Sequence, residues 1–165
     1  MILNIAILSL VTLERLAELP LARRNTARLL AQGAQEHAPG HYPLIVALHA
    51  AWLVTLWCLA SQRPLDPVWL AFFVIAELGR IWVLVSLGER WTTRIIVLAG
   101  APLVRRGPYR FTDHPNYLVV IAEIAVLPLV FGLWRTALIF SALNAAILTV
   151  RIREENRALS ASSPR

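Results

Sequence analysis

Arg105-Arg106-Gly107-Pro108-Tyr109-Arg110-Phe111-Thr112-Asp113-His114-Pro115-Asn116-Tyr117 sets turn formers, cations, an imidazole and two phenols between oily segments. Gly107 and Pro108 dictate a turn, and Pro115 suits the first turn of a helix with Asp113 or His114 near its cap. The free N–H groups at such a helix start attract carboxylates or phosphates. Its counterpart lies near the C-terminus, at Arg151-Ile152-Arg153-Glu154-Glu155-Asn156-Arg157, where a long apolar run ends in alternating charge. Spacings of three and four put Arg151, Glu154 and Glu155 on one helical face. A carboxylate pair there suits an ammonium, ribose hydroxyls or a sulfonium. A solvated helix end has the same composition, so spacing alone names no reaction.

The chain around these stretches is oily. Of its 165 residues 58% are hydrophobic and 16% charged, and the mean hydropathy is +0.61, which indicates an all-α integral membrane protein in one domain. The net charge of +6 does not indicate nucleic acid, because the arginines gather at the ends of apolar segments instead of forming a basic stripe. Cys58 is the sole cysteine and sits in an apolar run, which excludes disulfides within the chain and thiolate metal sites. No metal site is expected.

Apolar runs at residues 2–21, 43–60, 68–87, 116–131 and 134–150 predict five transmembrane helices. The first lacks a cationic start and a small-residue cleavage site, so a removed signal peptide is not expected. Glu14, Arg15 and Glu18 fall in its second half, and their spacing allows Arg15 to pair with Glu18. Residues 21–41 read as a surface loop or a short interfacial helix. His49 is a lone histidine in the second run and reads as a packing residue. Glu77 and Arg80, three apart in the third run, are expected to form an ion pair that is either structural or part of a site. Residues 88–111 hold two short β-prone runs, 95–98 and 103–104, expected to form a hairpin-like or re-entrant segment. Glu123 lies in the fourth run and Pro128 near its end; Gly132-Leu133 then allows only a tight hairpin between spans four and five. Residues 160–165 are expected to be a disordered end.

With these spans three arginines fall between spans one and two, five between three and four, and four from Arg151 onward, against single arginines at positions 63 and 135 in the other loops. The excess places the tail and the long loops in the cytoplasm and the N-terminus outside. Both polar stretches then share the cytoplasmic face.

Leu103-Val104-Arg105-Arg106-Gly107-Pro108-Tyr109-Arg110-Phe111 leading into His114-Pro115-Asn116-Tyr117, then a helical hairpin, then Arg153-Glu154-Glu155 with Leu159 beyond, resembles the C-terminal half of the isoprenylcysteine carboxyl methyltransferase family. The resemblance covers residues 88–159. The short length and the Leu118-Val119-Val120 run resemble most the small bacterial branch associated with O-methylation of alkylpyrones and alkylresorcinols made by type III polyketide synthases. It implies an enzyme of the bacterial cytoplasmic membrane that binds S-adenosylmethionine at the cytoplasmic face and takes a lipophilic acceptor from the membrane lipid. It maps the cofactor onto Tyr109, His114, Pro115, Tyr117, Arg151, Glu154 and Glu155, with Leu103, Val104 and Gly107 in the backbone that closes over it. One position departs: the family carries arginine before its His-Pro, and here that residue is Asp113. Arg110 or Arg106 then substitutes, or the acceptor differs in charge.

Methyl transfer from a sulfonium is an in-line displacement that requires no metal. A carboxylate acceptor calls for an arginine to hold it, and a phenol or enol for a base. Glu77, Arg80, Glu123 and Arg110 are the candidate catalytic residues, with Glu77, Glu123, Glu14 and His41 as the candidate bases. Two other classes fit part of the pattern. Sterol reductases also carry His-Pro-Asn-Tyr and bind a nicotinamide cofactor, although glycine and an acidic residue commonly follow the tyrosine there and Leu118-Val119 follow it here. A membrane scaffold or small transporter would use the polar stretches as anchors.

Overall fold

Five helices, α1 (Ile2–Ala31), α2 (Tyr42–Ala60), α3 (Pro67–Leu87), α4 (Pro115–Val130) and α5 (Trp134–Ser162), make up most of the computed structural model, which describes residues 1–162. Two short strands, β1 (Gln35–His37) and β2 (Ile95–Val97), form one antiparallel pair. Three segments, Pro39–Ala60, Pro67–Arg90 and Trp134–Ala161, are long and apolar enough to cross a membrane. Two helices fall short of that test for different reasons. α4 has only 16 residues, about 24 Å of helix, and α1 carries Glu14, Arg15 and Glu18.

The helix starts and stops follow from local chemistry. Asp66 caps α3 by accepting from the Val68 and Trp69 N–H groups at 2.9 and 3.2 Å, with Pro67 next in the first turn. α1 ends where the Ala34 N–H donates to Leu29 O and the Gly33 N–H to Leu30 O, both at 3.0 Å. That closure needs the left-handed backbone of Gly33, φ +88°. Gly132, φ +67°, closes α4 in the same way, the Leu133 N–H donating to Pro128 O at 2.9 Å. The expected tight hairpin between spans four and five is therefore present.

Alternating helices bring two ends into being. At one end buried Asn4 donates to Ala60 O and Arg63 O, both at 2.8 Å, and the Asp66 N–H donates to Val130 O at 2.8 Å. The N-terminus, the α2–α3 turn and the α4–α5 turn are thus tied together. The opposite end gathers the connections 32–41 and 88–114 with the last turns of α5. Leu8, Trp52, Leu56, Leu127 and Phe131 fill the core near the first end. Val54, Ile75, Leu78, Val85 and Leu138 instead point outward, each more than half exposed, as side chains facing lipid do.

Three expectations are corrected. α1 does not stop at residue 21; it continues through Pro20 to Ala31. One missing N–H is tolerated there because the far half is anchored, Asn25 donating to Gly88 O at 3.1 Å and to Trp91 O at 2.8 Å. The run 95–98 does not pair with 103–104. It pairs with β1, in the register Gln35↔Val97, Glu36↔Ile96 and His37↔Ile95. An ion pair between Glu36 and Arg94 at 2.9 Å supports that pairing, and Ile95 and Val97 pack on Ala158 of α5. Finally, α5 remains helical through Ser162, so residues 160–162 are not the disordered end expected of them; residues 163–165 lie outside the described residues.

Candidate functional site

A cavity of about 700 Å³ opens at the end where the long connections meet. α4 and α5 supply its polar wall through the sequence spacing of their first and last turns. Arg151 and Glu155, four apart on α5, turn to the same face and meet Tyr117 from the first turns of α4. The Tyr117 hydroxyl accepts from Arg151 Nε at 2.9 Å and donates to the Glu155 carboxylate. His114 stacks on the Tyr117 ring with centroids 5.3 Å apart, and its Nε2–H donates to Asn156 Oδ1 at 3.0 Å. That bond directs Nδ1 towards Glu155, 3.9 Å away. Arg151 is 6% exposed, and inside the protein its guanidinium meets this phenol by the hydrogen bond and by lying over the Tyr117 ring, 5.5 Å from its centroid.

Tyr109 reaches the same cavity from the turn at Gly107–Arg110. Burial pushes its phenol above the ordinary value, and the negative charge of Glu155 pushes it further. Tyr109 is therefore a neutral donor. Leu29, Leu87, Ile95, Leu98, Leu103 and Val104 supply aliphatic lining, alongside Arg90, Arg94 and Arg105. A cavity of this size with convergent polar groups on one wall is of the kind that binds a small molecule.

Of the residues picked from the sequence, Leu103, Val104, Tyr109, His114, Tyr117, Arg151 and Glu155 line the cavity, as does Asp113. Three do not. Glu154 turns 100° away from Glu155 on the helix and pairs with Arg157 at 2.6 Å. Pro115 is buried as the first residue of α4. Gly107 packs on α3: a Cβ there would lie 2.0 Å from Ser86 Oγ, and φ is +58°. Glycine is needed at that position to let the turn dock, with Arg106 Nε donating to Ser86 O at 2.8 Å. Asn156 and Asn116 line the cavity as well and were not singled out from sequence. Their amides lie within the two polar stretches but carry no charge pattern to mark them.

The candidate catalytic residues Glu77, Arg80 and Glu123 gather elsewhere. Arg80 binds Glu123 through two hydrogen bonds, Nε to Oε1 and Nη2 to Oε2. Arg80 Nη1 is 3.2 Å from Glu18, which pairs with Arg15 at 3.1 Å, and Arg15 lies 3.3 Å from Glu123. Two guanidiniums and two carboxylates thus close a ring that joins α1, α3 and α4. The expected Arg15–Glu18 pair is present. The expected Glu77–Arg80 pair is not, because Arg80 takes the bidentate partner on α4; Glu77 instead sits 4.0 Å from Arg15. This ring lies about 10 Å along α3 from Leu87, seven residues away. Buried Val83 and Trp91, with Val119, pack in between. None of its members lines the cavity, nor does His41. Arg110 lies over the Phe111 ring at 5.8 Å and also stays outside. Among the described residues no cluster able to hold a metal ion occurs.

The family model of the Isoprenylcysteine carboxyl methyltransferase (ICMT) family matches residues 69–161, which takes in α3 to α5 and the cavity wall. Similar proteins include YpbQ of Bacillus subtilis (strain 168), described as uncharacterized, 38% identical over 93% of this chain and 94% of its own. Another uncharacterized protein, from Haemophilus influenzae, is 27% identical over 92% of this chain and 91% of its own. No solved structure matches the chain. With the family match covering more than half of the sequence and a 38% identical relative aligned nearly end to end, the chain belongs to the isoprenylcysteine carboxyl methyltransferase family of membrane enzymes.

Proposed function

We propose that this protein is an S-adenosylmethionine-dependent O-methyltransferase set in the bacterial cytoplasmic membrane by five helices, with its cavity facing the cytoplasm. Its acceptor is a lipophilic molecule, an alkylpyrone or alkylresorcinol hydroxyl or a prenylcysteine-type carboxylate. The observation that carries this reading is the convergence of Glu155, Tyr117, His114 and Tyr109 on one cavity that Leu29, Leu87, Leu98, Leu103 and Val104 also line. α4 is short for a span, but it packs between α3 and α5, which cover two of its flanks.

The residues present fit the cofactor. Glu155 offers a carboxylate held by the Tyr117 phenol, which Arg151 holds in turn, the charge that suits ribose hydroxyls or an ammonium. The His114 ring and Tyr109 supply aromatic surface beside it. When bound, the cofactor supplies a methyl group activated on a positively charged sulfur. Arg151 fixes the Tyr117 hydroxyl, which holds Glu155 in place, and the aliphatic lining excludes water and orients a greasy acceptor, the terms that lower the barrier of an in-line displacement. Asp113 lies on the wall and is placed to take the proton of a hydroxyl acceptor, whereas a carboxylate acceptor needs no base.

Titrating the purified protein with S-adenosylhomocysteine in a thermal-shift assay tests the cofactor: saturable stabilisation is expected, and a shift with NADPH alone refutes the reading. Membranes given labelled S-adenosylmethionine and a panel of lipidic phenols, pyrones and prenylcysteines identify the acceptor.

A further inference from the structure

A second cavity of about 670 Å³ adjoins the first. Residues 102–105, together with Leu29, Leu87, Arg90 and Leu98, border both, so the two share a wall. Its chemistry differs from that of the first. Four arginines, Arg28, Arg90, Arg105 and Arg106, line it with a single acidic residue, Glu89. Only Arg28 pairs with that carboxylate. Arg90 and Arg106 donate to the backbone carbonyls of Pro102 and Ser86, which carry no charge. Arg105 makes no hydrogen bond or ion pair among the described residues. Three positive charges are left uncompensated around one hollow. Its remaining wall is aliphatic, from Leu29, Leu87, Leu98 and Leu103; Leu103 is 56% exposed.

The position fits the charge. The hollow lies at the end of α3, where a membrane-crossing segment terminates at Arg90, the depth at which lipid phosphates lie. Outward-facing Val85, one turn back, is 71% exposed, so hydrocarbon begins immediately beside it. A free inorganic anion would leave the leucines of the wall wet, and a neutral zwitterionic lipid would bring its own cation into the arginines. We propose that this hollow is a binding site for the phosphodiester head group of an anionic membrane phospholipid, its phosphate among Arg28, Arg90, Arg105 and Arg106 and its acyl chains running past Leu103 along α3.

The test is native mass spectrometry of the full-length protein released from bilayer nanodiscs of equal phosphatidylglycerol and phosphatidylcholine. Preferential retention of phosphatidylglycerol by about tenfold is expected, from the attraction of juxtamembrane arginines for anionic lipid. Arg28→Gln and Arg105→Gln should each reduce that preference about threefold or more, and Arg105→Lys, which keeps the charge, should preserve it. Arg63→Gln/Arg135→Gln, which removes charge at the other end of the bundle, should leave it unchanged. Equal retention of the two lipids overturns the proposal, as does an equal loss from the Arg63/Arg135 variant. Displacement of the lipid by inorganic phosphate also overturns it, because the site then takes a free anion. The readout requires neither cofactor nor acceptor, so its failure is separable from failure of the methyltransferase reading.

Discussion

Tyr117 donates its phenolic proton to Glu155, a residue 38 positions further along the chain. This contact joins the start of α4 to the last turns of α5 across the hairpin, and Arg151 completes it from the other side. Removing the hydroxyl takes from Arg151 Nε and from the Glu155 carboxylate the hydrogen-bond partner they share. Tyr117→Phe is expected to lower S-adenosylhomocysteine affinity by roughly tenfold or more, since hydrogen bonds to charged groups are worth about 1.5–3 kcal/mol. Calorimetry on the detergent-purified protein checks it, with circular dichroism to show that the helices persist.

The two neighbouring glutamates should behave differently. Glu155 faces the cavity, whereas Glu154 is paired with Arg157, itself 75% exposed. Glu155→Gln should abolish most cofactor binding. Glu154→Gln should change it less than about threefold, because exposed ion pairs contribute only about 0–1 kcal/mol. Equal losses in the two variants would show that the cavity has been assigned to the wrong face of α5.

At Gly107 the left-handed backbone and the contact with Ser86 act together. Gly107→Ala must move the turn off α3, at a cost on the order of 1–3 kcal/mol for the strained backbone alone. A fall in melting temperature of several degrees is the expected result. Ser86→Gly in the same chain should recover part of it by clearing the Ser86 Oγ and Cβ atoms that lie 2.0 and 2.9 Å from the added methyl.

The ring of Arg15, Glu18, Arg80 and Glu123 predicts non-additive substitutions. Arg80 and Glu123 side chains are 6% and 5% exposed. Arg80→Met alone removes the bidentate partner of Glu123 and leaves Arg15 to serve both Glu18 and Glu123, a cost on the order of 3 kcal/mol, whereas Arg80→Met/Glu123→Met removes both charges and should be less damaging. A double-mutant cycle on thermal or denaturant unfolding measures the difference. Methylation surviving in the double variant would separate the ring from the chemistry.

By itself the sequence determined the membrane class, α2, α3 and α4 to within a residue at each end, the tight turn at Gly132-Leu133, and the two polar stretches whose residues line the cavity. Those features depend on the apolar period and on turn chemistry, which act over a few neighbouring residues. The far half of α1, the pairing of β1 with β2 and the choice of Glu123 over Glu77 as the partner of Arg80 were decided by tertiary structure. Spacing states which side chains share a face of their own helix; it does not state which helix that face meets. Glu154 and Glu155 show the limit at its smallest: adjacent and chemically identical, they are separated in role by the 100° turn between them and by the position of Tyr117 across the hairpin.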